Sequence, residues 1–257
     1  MTNAERALRL WVVVPCYNEA VGIGATLAAL ATQTDPDFFL LIVDNASTDG
    51  TRGVVEACRT VHPGLAMQCI DEPLKGTGSA ADTGFRFAIR SGATHIARTD
   101  ADCLPSPQWI ANIKRAFREG AEFVAGVIGL RDDDHRIGRA EHASLLAVAV
   151  LMALVAPLMP HNRGPQFKTR YVMAGGGNLA VTADLYVASG GFPRIRLEDG
   201  NDDRELVNRV RRTGAAVRRD RSVVVLQSAR RIKRFGVRNT LLWYWDRRYC
   251  PDEADIR

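Results

Sequence analysis

The chain is expected to fold as an α/β protein with a mostly parallel central sheet flanked by helices. Two observations carry this expectation. Short apolar runs of strand length alternate with longer helical stretches through the first half of its 257 residues, which is the signature of successive βαβ units. Nearly every one of those apolar runs also stops abruptly at polar residues. At 46% hydrophobic and 25% charged the composition is that of an ordinary globular protein, long enough to bury a substantial core.

Taken in order, LWVVV (10–14) is a β-rich run and predicts the first strand, followed by a helix from Glu19 to Gln33. FFLLIV (38–43) predicts the second strand and Thr48 to Arg59 a helix. MQCI (67–70) and Gly76 to Arg90 repeat the unit, as do THIAR (94–98) and Pro107 to Arg118. EFVAGVIGL (122–130) is a candidate fifth strand. The uncharged stretch ASLLAVAVLMALVAPLM (143–159) is short for a membrane span and is broken by Pro157. A buried helix is its first reading and an interfacial, membrane-contacting helix its second. GGGNLAVT (175–182) gives a glycine run and a short strand, Asp203 to Arg212 a helix, and RSVVVLQ (221–227) a strand, before a basic, Trp-rich tail. Without an internal repeat or low-complexity linker, residues 1–257 are expected to form a single domain.

The net charge of +5 arises largely from eleven Lys and Arg residues between 209 and 238. Such a field suits nucleic acid, an anionic membrane surface or a phosphorylated substrate, or simply a solvated helix face. No aromatic-basic module accompanies it, so nucleic acid is not expected. Five cysteines without a CxxC pair argue against a disulfide framework or structural zinc and for a reducing compartment. The N-terminal residues lack a signal-peptide pattern, and a cytoplasmic protein is expected, at most peripheral at the inner face of a membrane.

In parallel sheets ligands bind beyond the carboxyl ends of the strands. Those positions here are Pro15-Cys16-Tyr17-Asn18-Glu19, Asp44-Asn45-Ala46-Ser47, Asp71-Glu72 and Thr99-Asp100-Ala101-Asp102. Asp100 and Asp102 pose a specific question. Two carboxylates that close repel by roughly 1 kcal/mol or more even in a watery setting. Solvent, a basic neighbour or a divalent cation must compensate. Rival motifs are weak. GTGSAA (76–81) has the letters of a dinucleotide fingerprint, but it follows the third strand instead of the first, and the residue about twenty on, Ile96, is apolar. GxxxxGK[ST], HExxH and GxSxG are absent.

Five ordered segments carry a resemblance: VVVPCYNEA (12–20), LLIVDNASTDGT (40–51), KGTGSAADTGFRFA (75–88), RTDADCLPSPQWI (98–110), and GGGNLAVTADLYVASGGF (175–192) with DDRELVNRVRRTG (202–214). Together they resemble the inverting glycosyltransferases of family 2, whose Rossmann-like fold is called GT-A. The resemblance implies a nucleotide-sugar-binding half over about 1–120 and a smaller acceptor-binding half over about 121–257. It implies a DxD element at Asp100–Ala101–Asp102, with Asp102 contacting Mn²⁺ or Mg²⁺ directly and Asp100 nearer the ribose or binding the cation through water. Asp44 would accept a hydrogen bond from the donor's base, while Pro15, Tyr17 and Glu19 line the pocket and Lys75 stands nearby. Gly76 and Asp82 fall on the donor side, and Gly177, Asn178 and Asp202 on the sugar or acceptor side. Asp203 would be the catalytic base, because counting from it places Leu206, Arg209 and Gly214 where the family's ED-x-x-L pattern wants them; counting from Asp199 does not. The implied donor is a nucleotide-diphosphate sugar, UDP being the first choice, and the acceptor a hydroxyl compound, lipid-linked or a cell-envelope glycan precursor. Departures are Asp82, where the family often has Asn, and the missing QxxRW of processive synthases, which favours one sugar per acceptor. Two other classes stay open: a sugar nucleotidyltransferase, disfavoured because PCYNEA is no GGxGTRL-like loop, and a non-catalytic nucleotide-sugar-binding module.

Overall fold

The computed structural model describes residues 7–131, 153–194 and 202–230, with positions 133, 138, 143, 147, 150, 151, 233–236 and 239 besides. Asp199, Cys250 and the Trp-rich tail lie outside the described residues. The elements are β1 (Leu10–Cys16), α1 (Ile23–Ala31), β2 (Phe39–Asp44), α2 (Thr51–Val61), β3 (Met67–Asp71) and α3 (Thr77–Arg90). Then come β4 (His95–Arg98), β5 (Cys103–Pro105), α4 (Trp109–Arg118), β6 (Phe123–Leu130), β7 (Leu179–Thr182), α5 (Ala183–Ser189), α6 (Asp202–Thr213) and β8 (Val217–Gln227).

The eight strands among the described residues join one sheet in the order β3-β2-β1-β4-β7-β6-β8-β5. The β3-β2-β1-β4 block is parallel, β7 inserts antiparallel between β4 and β6, and β8 runs parallel to β6. The period-2 geometry of a strand explains why β1 is apolar throughout. Val12 and Val14 face a core with α1, α2 and α4 (Leu27, Val55, Ile113). Trp11 and Val13 face the opposite core with α3, α5 and α6 (Phe85, Tyr186, Leu206). A strand covered on both faces has no solvent side to mark with polar residues. Gly84 lets α3 lie close against the sheet, since a Cβ there would stand 2.5 Å from Val13 Cγ1 and 2.8 Å from Val43 Cγ2.

Beyond shifted element ends such as β8, which begins at Val217 and not 221, four departures from the sequence-based expectation bear on the site. α1 begins at Ile23, not Glu19, because Glu19–Gly22 closes a turn in which the Gly22 and Ile23 N–H groups both donate to the Glu19 carbonyl. β5 was not anticipated; it has three residues, and it sits at the sheet edge, where Pro105 costs no ladder bond. α5 was missed too, although Thr182 caps it by accepting from the Leu185 N–H and Gly190 ends it at φ +84°. The fourth concerns 143–159. Val150, Leu151, Leu154 and Leu158 are 53–68% exposed, so the buried-helix reading fails at these positions, while Ala156 and Met159 turn inward. No helix among the described residues is long and apolar enough to cross a membrane.

Candidate active site

The loops after β1, β2 and β4 meet at the carboxyl edge of the parallel block. Those after β1 and β2 are stitched together: the Asn18 N–H donates to Ser47 Oγ (3.0 Å) and the Thr48 N–H to Asn18 Oδ1 (2.8 Å). Asn18 and Ala46 take φ of +50° and +63°, a conformation that costs a non-glycine residue free energy and tends to cluster at functional sites. Asp44 is buried at the end of β2 and accepts the Ser47 N–H at 3.1 Å. Its neighbour Asn45 donates to the carbonyls of Glu72 and Leu74 and accepts the Gly76 N–H, each at 2.8 Å, which fixes the entry to α3. Lys75 then reaches back over the loop, with Nζ 2.7 Å from the Tyr17 hydroxyl and 4.5 Å from its ring centroid. Pro15 is buried within β1, paired with Val43.

The repulsion between Asp100 and Asp102 is offset by two arginines that the sequence did not single out. Arg98, the last residue of β4 and 1% exposed, lies 3.0 Å from Asp100. The same guanidinium reaches Asp202 and Asp203, each at 3.3 Å, and packs 5.1 Å over the Phe192 ring. Burial opposes its charge, but the three carboxylates outweigh burial and raise its pKa. Arg230, beyond β8, pairs with Glu19 and sits 3.1 Å from Asp102 Oδ2; its pKa is likewise raised against the pull of burial by Glu19 and Asp102. Arg98 carried a signal in hindsight, being a cation that ends an apolar strand. Arg230 did not stand out among eleven basic residues.

Asp202 and Asp203 open α6, where carboxylates are favoured by the helix dipole. Burial, then the charge of Asp202, raises the Asp203 pKa to about 7, with Arg98 and the Gly176 N–H pulling the other way. The glycine run makes this approach feasible: a Cβ on Gly176 would fall 2.6 Å from Arg98 Cζ, and one on Gly177 3.3 Å from Asp100 Oδ2. One guanidinium thus gathers Asp100, Asp202 and Asp203, with Gly177 beside them.

Three expected site residues are placed elsewhere. Asp82 is 1% exposed, accepts the Tyr186 hydroxyl at 2.8 Å and pairs with Arg86, so it joins α3 to α5 and does not face the strand ends. The Asn178 side chain is fully buried. It accepts from Trp109 Nε1 and donates to the carbonyls of Val127 and Val223, so both ends of the amide are engaged inside the fold. Ala101 is 2% exposed and its carbonyl is held by Thr26 Oγ1 at 2.8 Å; its role is to fix the loop between the two aspartates.

Among the described residues no three His, Cys, Asp or Glu side chains gather into a cage for a metal ion. Two carboxylates on one loop do fit a cation that takes most of its ligands from phosphate oxygens and water, as Mg²⁺ does.

The chain shares 33% identity over 118 residues with the glycosyltransferase AglE of Haloferax volcanii, covering 45% of this chain and 38% of that protein. It shares 25% over 118 residues with the polyprenol monophosphomannose synthase of Mycolicibacterium smegmatis, covering 46% and 44%. These alignments span less than half the length of either relative. The structure resembles a mannosyltransferase from Pyrobaculum calidifontis in complex with GDP-Man and Mn²⁺, with a TM-score of 0.63 and 26% identity over 87% of this chain and 58% of that one. It also shares its fold with the glucosyl-3-phosphoglycerate synthase of Mycobacterium tuberculosis, at TM-score 0.57 and 19% identity over 93% and 80%. The family description "Glycosyl transferase family 2" matches residues 11–175, and the chain belongs to that glycosyltransferase family, with the GT-A fold.

Proposed function

We propose that this chain is a metal-dependent, inverting glycosyltransferase that moves one sugar from a nucleotide-diphosphate sugar to an acceptor hydroxyl. The observation that carries the reading is the Arg98 cluster, in which one buried guanidinium holds Asp100 of the donor side and Asp203 of the acceptor side together. On this reading Asp44, Pro15, Tyr17, Glu19 and Lys75 receive the nucleotide, with UDP as the leading donor base. Asp102, with Asp100, would hold Mn²⁺ or Mg²⁺, which when bound offsets the negative charge of the departing diphosphate. Asp203 accepts the acceptor's hydroxyl proton while that oxygen forms a bond to the anomeric carbon from the face opposite the leaving group. The bond from that carbon to the diphosphate breaks, and its electron pair leaves with the diphosphate. A pKa of about 7 suits a general base at neutral pH.

A lipid-linked or cell-envelope acceptor at the inner face of a membrane is part of the same reading. It is supported by the exposed, helically spaced Val150, Leu151, Leu154 and Leu158. Asp203→Asn tests the base. Transfer should fall by roughly 10²- to 10⁴-fold with donor affinity unchanged. Unaltered transfer would remove Asp203 from the mechanism.

A further inference from the structure

The segment from Pro157 to Tyr171 and Arg211 of α6 border an open cavity of about 420 Å³. That volume lies within the usual range for small-molecule sites, roughly 300–1,000 Å³. Its lining is cationic and aromatic, with Arg163, Arg170, Arg211, Phe167 and Tyr171, and contains no carboxylate. Arg211 is 4% exposed, and among the described residues its hydrogen bonds go only to neutral oxygens: the carbonyls of Asn162 and Thr169 and the side chain of Asn208. Its guanidinium stacks 4.1 Å from the Phe167 ring centroid and 5.3 Å from that of Tyr171. A buried cation without a counter-charge is costly, and burial pushes its pKa down. The Arg163 and Arg170 side chains are exposed and make no hydrogen bond or ion pair among the described residues, although the Arg163 N–H donates to the Pro160 carbonyl. Nearby, Thr169 Oγ1 is buried without a hydrogen-bond partner.

The cavity is also tied to the candidate base. Arg211 lies eight residues beyond Asp203 on α6, about 12 Å along the helix. Tyr171, whose ring centroid lies 5.3 Å from the Arg211 guanidinium, also feels the charges of Arg204 and Asp203. An acceptor with a hydroxyl at Asp203 could therefore place a second group in the cavity, and three guanidinium groups without acids select an anion with several oxygens.

We propose that this cavity is a subsite for a phosphate group carried by the acceptor, bound by Arg163, Arg170 and Arg211. The assignment rests on the glycosyltransferase reading, and it narrows the acceptor to a phosphorylated compound. The phosphate could be borne by a lipid or by a small soluble molecule, since both offer the same oxygens.

The test is the Arg163→Ala/Arg170→Ala double variant; both side chains are exposed and unpaired, so folding should be preserved. Two probes are titrated: glycerol 1-phosphate, and phosphatidylcholine vesicles doped with phosphatidic acid, against undoped vesicles. UDP and GDP with Mn²⁺ are titrated in parallel. The expected result is binding of at least one phosphate probe by the wild type, weakened about tenfold or more in the variant, with nucleotide binding the same in both. Vesicle binding alone identifies a lipid-borne phosphate, and glycerol 1-phosphate binding a soluble one; either supports the subsite. Absence of both, or binding insensitive to the substitutions, overturns it while intact nucleotide binding leaves the glycosyltransferase reading standing. Loss of nucleotide binding by the wild type itself would indict that reading instead.

Discussion

Replacing Arg98 by Met probes the centre of the site most severely. The wild-type guanidinium is 2% exposed and neutralises Asp100, Asp202 and Asp203, whose side chains are 12–25% exposed. Removing one partner of a buried ionic cluster costs about 3–5 kcal/mol, because the remaining charges are left uncompensated. For a chain of this size that corresponds to a drop in Tm of roughly 6–20 °C. The deficit should depend on pH. The Asp203 pKa is raised from 3.8 to about 7, so between those values the folded state holds the extra proton and stability declines as pH rises. Arg98 is one of the groups that lower this pKa; without it the folded value climbs further and the window extends upward. The Arg98→Met deficit is therefore smallest below the unfolded pKa and largest above pH 7. Thermal melts from acid to mildly alkaline pH read this directly, with Arg59→Met, from the exposed pair with Glu56, as a control expected to lose at most about 1 kcal/mol. A pH-independent deficit, or one no larger than the control's, would refute the clamp.

Two further outcomes are expected. The acid limb of kcat/KM should fall near the Asp203 pKa of about 7, and Asp202→Asn, which deletes the neighbouring charge that helps raise it, should move that limb to lower pH; a limb that stays put means another group is being titrated. Asn178→Ala should cost about 2–4 kcal/mol, since it strands the Trp109 N–H and two carbonyls, with the acceptor KM unchanged. A raised acceptor KM at full stability would return Asn178 to the substrate side.

Most of the parallel half was legible in the sequence because β1, β2 and β4 are buried on both faces and its strands end in polar residues. Asp44, Asp100, Asp102 and Asp203 could be named for that reason and through family resemblance. Charges that act by pairing across the chain were less visible. Arg98 meets Asp203 across 105 residues and Arg230 meets Glu19 across 211, and no local pattern encodes such distances. Asp82 and Asn178 show the converse. Their residue types suit a sugar site, yet their partners, Tyr186 and Trp109, come from α5 and α4 and spend their hydrogen-bonding capacity inside the fold. The 143–159 stretch was ambiguous because an uncharged apolar run has the same letters whether it faces a core or a lipid surface.

The most direct test of the account is a calorimetric titration of UDP, GDP and dTDP with and without Mn²⁺, on the wild type and on Asp102→Ala. Mn²⁺-dependent binding of one nucleotide, UDP first, is expected in the wild type and should be lost in the variant. Nucleotide binding indifferent to both Mn²⁺ and Asp102, or no binding at all, would contradict it.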